Sequence, residues 1–190
     1  MKSYQSHLRD TLSFGEKKNF DYKPIMRSSA TFPLLLKKKK IESIYTFMGY
    51  WLKKRNISLV TAIFTIRNIQ GKTINVVSYE ISECKSYVFK GSSFFKNTPE
   101  DFHGSVEIEI FSAVDMVFPY PAITFAIKSL NGLTFVHTCG RVYNDFNDFN
   151  INNEQVVPET GFDVILKKNY NPFFSFVNGP KEILSELLEL

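Results

Sequence analysis

A chain of 190 residues, 44% apolar and 22% charged, is long enough to bury one core and too apolar to be wholly disordered. Two cysteines exclude a disulfide-dense scaffold, and no apolar run approaches the roughly 18 residues of a membrane-spanning helix. The net charge of +4 hides an asymmetry: residues 1–55 hold 13 Lys and Arg against 4 Asp and Glu, so the rest of the chain is net acidic.

The first 33 residues show no sustained hydrophobic period and are expected to form a flexible basic N-terminal arm, with Ser28 to Pro33 as extended linker. Met1 to Asp10 lacks the apolar region of a secretory signal, so a soluble, cytoplasmic protein with reduced thiols is the simpler expectation. Leu34-Leu35-Leu36 can open a buried strand, with Lys37 to Lys40 marking its solvated edge. Ile41 to Arg55 fits either a helical or a strand pattern; its aromatic density and Gly49 favour a strand.

The centre reads more clearly. Leu59 to Ile66 and Thr73 to Ile81 are β-branched and aromatic, and Asn68 to Lys72 supplies a turn between them. Tyr87 to Phe89 is a short strand, and residues 91–104 read as a loop. In Ser105 to Phe111 the aliphatic residues Val106, Ile108 and Ile110 alternate strictly with Glu107 and Glu109. That period of two sends the aliphatics to a core and the carboxylates to solvent. Ala122 to Ile127 and Leu133 to Thr138 flank Asn131-Gly132, a hairpin signal. After a polar loop at 144–154, Gly161 to Lys168 and Pro172 to Val177 form a further strand pair. Pro180 can start a short helix in which Ile183, Leu184, Leu187 and Leu188 share a face.

These elements predict an all-β fold: an antiparallel β-sandwich or jelly roll of about eight strands over residues 34–179, followed by a C-terminal helix, or the start of a further segment, at 180–190. Strands follow one another as hairpins without helical crossovers, which argues against a parallel sheet.

Few constellations carry chemistry. His137 and Cys139 share a strand face next to Arg141, which could hold an anion, but a core cysteine with a marginal histidine is the simpler reading. The thiol and imidazole inventory is His7, His103, His137, Cys84 and Cys139, with no CxxC or HExxH spacing, so neither a metal nor another cofactor is expected. Asn144 to Asn150 lacks the calcium-loop spacing. Glu107 and Glu109 resemble a glycosidase pair in residue type alone. Phosphate-loop and nucleophile-elbow motifs are absent, so the sequence leans away from an enzyme.

Tyr45, Tyr50 and Trp51 lie beside Lys53, Lys54 and Arg55, an interleaving that could stack sugar rings or bases. With Arg141 these form the candidate ligand-binding set. The leading expectation is a non-catalytic binding or interaction module with carbohydrate as first ligand. The alternatives are a structural or assembly protein, for example of a virion, using its N-terminal arm, and nucleic-acid binding through residues 37–55.

Overall fold

The computed structural model describes residues 26–116, 122–137 and 177. In chain order these form β1 (Arg27–Lys37), β2 (Ile41–Met48), a five-residue helix α1 (Tyr50–Lys54), β3 (Val60–Asn68), β4 (Thr73–Ile81), β5 (Ser86–Lys90), a 3-10 turn (Gly91–Phe94), β6 (Asp101–Phe111), β7 (Ile123–Ser129) and β8 (Gly132–His137). Every strand pairing is antiparallel, and all eight strands belong to one hydrogen-bonded sheet. The fold is therefore all-β and antiparallel, as the hairpin signals require.

The sheet turns a corner between β1 and β2. The two strands pair only at Leu36–Glu42 and Lys37–Ile41, directly after their tight turn. Beyond that point β1 runs beside β6, from Arg27–Phe111 to Lys37–Asp101, while the same edge of β2 passes to β5 from Ile44 onward. Side chains occupy the resulting cleft: the buried Ser43 Oγ accepts the Leu35 N–H at 2.9 Å, and Tyr45 Oη donates to the Pro33 carbonyl at 2.7 Å. Backbone groups that lose a ladder partner thus keep a hydrogen bond. Proline is tolerated at position 33 because β1 has already left β2, so its missing N–H breaks no bond between them.

Two four-stranded ladders result, β4-β3-β6-β1 and β5-β2-β7-β8, and their buried faces meet through rings. Phe32 of β1 lies 5.8 Å from Phe125 of β7, and Phe64 of β3 lies 4.6 Å from Phe89 of β5. Tyr79 of β4 also reaches Phe89, at 4.8 Å. Val106, Ile108 and Ile110 are wholly buried between them, in the phase that their alternation predicts. Such aromatic and aliphatic burial is the main source of stabilisation in a core of this kind.

Several expectations are corrected. Residues 27–33 are strand β1, not linker, so the folded domain starts before Leu34. Ser28 and Ser29 are both buried, and the β6 register leaves Ala30 and Phe32 facing the core; small polar residues and a proline had masked a central strand. Ile41 to Arg55 divides at Gly49 into strand and helix, so each of its two patterns describes one half. The loop expected at 91–104 contains a 3-10 turn, and β6 begins at Asp101, four residues before the alternating stretch. The last hairpin turns at Leu130-Asn131, because Ser129 pairs with Gly132. In the β3–β4 hairpin, Gly71 takes φ +78°, the left-handed conformation that its turn needs.

The arm at 1–25, the loop at 144–154, the strand pair at 161–177 apart from Val177, the helix at 180–190, Cys139 and Arg141 lie outside the described residues. No helix among the described residues is long and apolar enough to cross a membrane.

Candidate functional site

The residues first singled out for ligand binding do not form one surface. Tyr45 and Trp51 have no exposed area, and Tyr50 is half-buried and stacked on Trp51 at 4.3 Å. Tyr45 sits among Phe32, Phe94 and Phe125, and burial pushes its phenol well above its ordinary pKa of 10.0. A ring with no accessible face cannot stack a base or a sugar. Of the cations, Lys53 and Lys54 are exposed at the end of α1, with the Lys54 ammonium 5.7 Å from the Tyr50 ring centre, and Arg55 is half-buried.

The Glu107–Glu109 pair is also otherwise engaged. On the outer face of β6, Arg27 reaches Glu109 Oε1 at 2.7 Å and Glu107 Oε1 at 3.2 Å, while Arg67 of β3 reaches Glu107 Oε2 at 2.9 Å. The Glu107 and Glu109 side chains are only 15% and 17% exposed. Two carboxylates fixed by two guanidiniums are not poised as acid and nucleophile; this four-charge network ties β1, β6 and β3 together. Solvation, the expected state of these glutamates, gives way to pairing because Arg27 and Arg67 arrive from strands on both sides.

Cys84 is an exposed free thiol in the β4–β5 connection. The described histidines, cysteines and carboxylates include no group of three that could hold a metal ion.

A different arrangement emerges at the β1–β2 turn. Lys38, Lys39 and Lys40 form its tip, closed by a hydrogen bond from Lys40 N to Lys37 O at 2.8 Å, with Lys39 in the left-handed region at φ +58°. The strand register then adds cations from elsewhere in the chain. On β2, Ile44 stands opposite Lys90 of β5, and Glu42 opposite Lys128 of β7. The turn lysines overhang one end of this face. The result is a groove of about 390 Å³, lined by Lys39, Lys40, Lys90, Lys128, Glu42 and the apolar side chains Ile41, Ile44 and Leu130. A second groove of about 180 Å³ adjoins it, sharing Lys39, Ile41 and Glu42 and adding Lys37 and Lys38 beside Leu36 and Pro99.

Charge is poorly balanced there. Lys38 pairs with the exposed Glu100, whereas Lys37, Lys39, Lys40, Lys90 and Lys128 have no ion-pair partner among the described residues. The single carboxylate within the grooves, Glu42, accepts a hydrogen bond from Ser92 N at 2.8 Å. Gly91 favours this: a Cβ there would lie 2.5 Å from Leu34 Cδ1 and 3.1 Å from Leu36 Cδ2, so glycine lets the backbone between Lys90 and Ser92 approach the core without displacing these leucines. Five unpaired ammonium groups around a concave wall focus a positive potential into it.

Sequence reasoning noticed Lys37–Lys40 as a solvated strand edge but missed Lys90 and Lys128. These are isolated in sequence and join the turn only through the β2–β5 and β2–β7 registers. Comparison with protein families, curated proteins and solved structures returned no match.

Proposed function

We propose that this chain is a non-catalytic binding module that captures a polyanion at its lysine-lined end. The observation that carries the reading is the convergence, on two adjoining grooves, of five lysines that have no ionic partner among the described residues. Like charges brought together on a rigid sheet repel one another, and a bound anion relieves that repulsion. Among the described residues there is no group of three side chains that could hold a metal, and Glu42 is the one carboxylate lining the grooves, beside the hydroxyls of Ser92, Thr98 and Ser129. A neutral sugar is less well served, since Tyr45 and Trp51, the rings offered for stacking it, are buried.

The test is binding of fluorescent heparin and of inorganic polyphosphate to the full chain and to a variant carrying Lys39→Gln, Lys40→Gln, Lys90→Gln and Lys128→Gln. All four side chains are exposed, so the variant should melt within a few degrees of the parent. The reading expects binding by the parent and its loss in the variant. Equal binding by both proteins, or binding of a neutral glucan in place of either polyanion, would overturn it.

A further inference from the structure

The two grooves share Lys39, Ile41 and Glu42 and therefore run into one another over the β1–β2 turn. We propose that they form one continuous track for single-stranded nucleic acid, bound without sequence preference. This rests on the polyanion reading and names the ligand within it.

Two features of the track favour a single strand. Its charge comes from lysines alone, which meet phosphates as point charges; no arginine fork lines it for bidentate recognition of a carboxylate or a base edge. Its floor is apolar, with Ile41, Ile44 and Leu130 in the larger groove and Leu36 and Pro99 in the smaller. A strand with unstacked bases can lay their apolar faces on these aliphatic side chains while its phosphates meet the lysines, whereas a duplex keeps its bases stacked inside. Among the described residues no Asn, Gln or Arg side chain lines either groove to read base edges, so sequence should matter little.

Glu42 sets the strength of this site. Its carboxylate lies in the shared wall, the one negative charge among the lining residues of either groove. Glu42→Gln keeps an oxygen to accept from Ser92 N while removing the repulsion of phosphate.

Fluorescence anisotropy on the full chain, with labelled oligothymidine, a duplex of equal length and heparin as competitor, tests the proposal. The single strand should bind about tenfold or more tightly than the duplex at the same salt. Glu42→Gln should tighten single-strand binding about two- to threefold, and Glu83→Gln, at an exposed site in the β4–β5 connection paired with Lys85, should leave it unchanged. Mixed-sequence strands should bind within a few-fold of oligothymidine. Duplex binding as tight as single-strand binding, or equal effects of Glu42→Gln and Glu83→Gln, would overturn the track. Heparin binding without oligonucleotide binding would overturn it while leaving the polyanion reading intact. If none of the three binds, the polyanion reading itself fails.

Discussion

Lys39 occupies a backbone conformation that glycine or asparagine adopts at less cost. A lysine in the left-handed region carries roughly 1 kcal/mol of strain that glycine would remove. Its side chain lines both grooves. Lys39→Gly is therefore expected to raise stability by about 1 kcal/mol in urea denaturation while weakening polyanion binding. A less stable variant, or a stabler one with undiminished binding, would show that the turn is not kept for its charge. Tyr45 gives a second residue-level expectation. Its phenol is raised above the value it has in an unfolded chain because burial disfavours the anion. Below pH 10 both states hold the proton; as pH climbs past about 10 the unfolded chain loses it first, so stability should fall from there upward. Tyr45→Phe should cost about 1 kcal/mol at pH 8, through loss of the bond to Pro33, and should flatten the alkaline decline. Unchanged alkaline sensitivity in that variant would assign the decline to other groups.

At the scale of elements, β6 shows how far alternation reaches. The phase of Val106, Ile108 and Ile110 was legible because only a strand places every second residue in a core. The state of the intervening glutamates was not, because it depends on Arg27 and Arg67, 80 and 40 positions away from Glu107, meeting on the outer face. Ile108→Asp should cost more than about 4 kcal/mol, enough to unfold a marginal domain. Glu107→Lys should cost about 1–3 kcal/mol by setting a cation against two guanidiniums. Denaturant midpoints of the two variants decide this; a Glu107→Lys effect within experimental error would mean that the network adds nothing to the fold. β1 marks the opposite case, a central strand disguised by Ser28, Ser29 and Pro33: the two serines are buried beside β6, Ser28 Oγ without a hydrogen-bond partner among the described residues, and Pro33 sits where β1 has left β2.

At the scale of the molecule, the sequence was sufficient for an antiparallel all-β fold because hairpin signals are local: Gly71 between β3 and β4, and Asn131, followed by Gly132 at the start of β8, after β7. The corner between the two ladders was not legible, since it arises where β2 exchanges one neighbour for another after only two residue pairs with β1. The candidate site is a product of that exchange. By leaving β2, β1 makes room for β5, and β5 ends in Lys90 beside the turn lysines, while β7 delivers Lys128 from the other side. The aromatic residue Tyr45, which seemed to offer a ligand surface, instead packs between the ladders, and the proposed binding site lies at the charged end of the same hairpin.

The central claim is that these lysines meet phosphates, and the salt dependence of binding tests it most directly. Each phosphate neutralised on a single strand contributes about −0.7 to the slope of log Kobs against log salt, so five lysines give a slope of about −3.5. Removing Lys90 and Lys128 together, as Lys90→Gln and Lys128→Gln, should reduce its magnitude by about 1.4. A slope near zero, or one that the double variant leaves unchanged, would contradict the account.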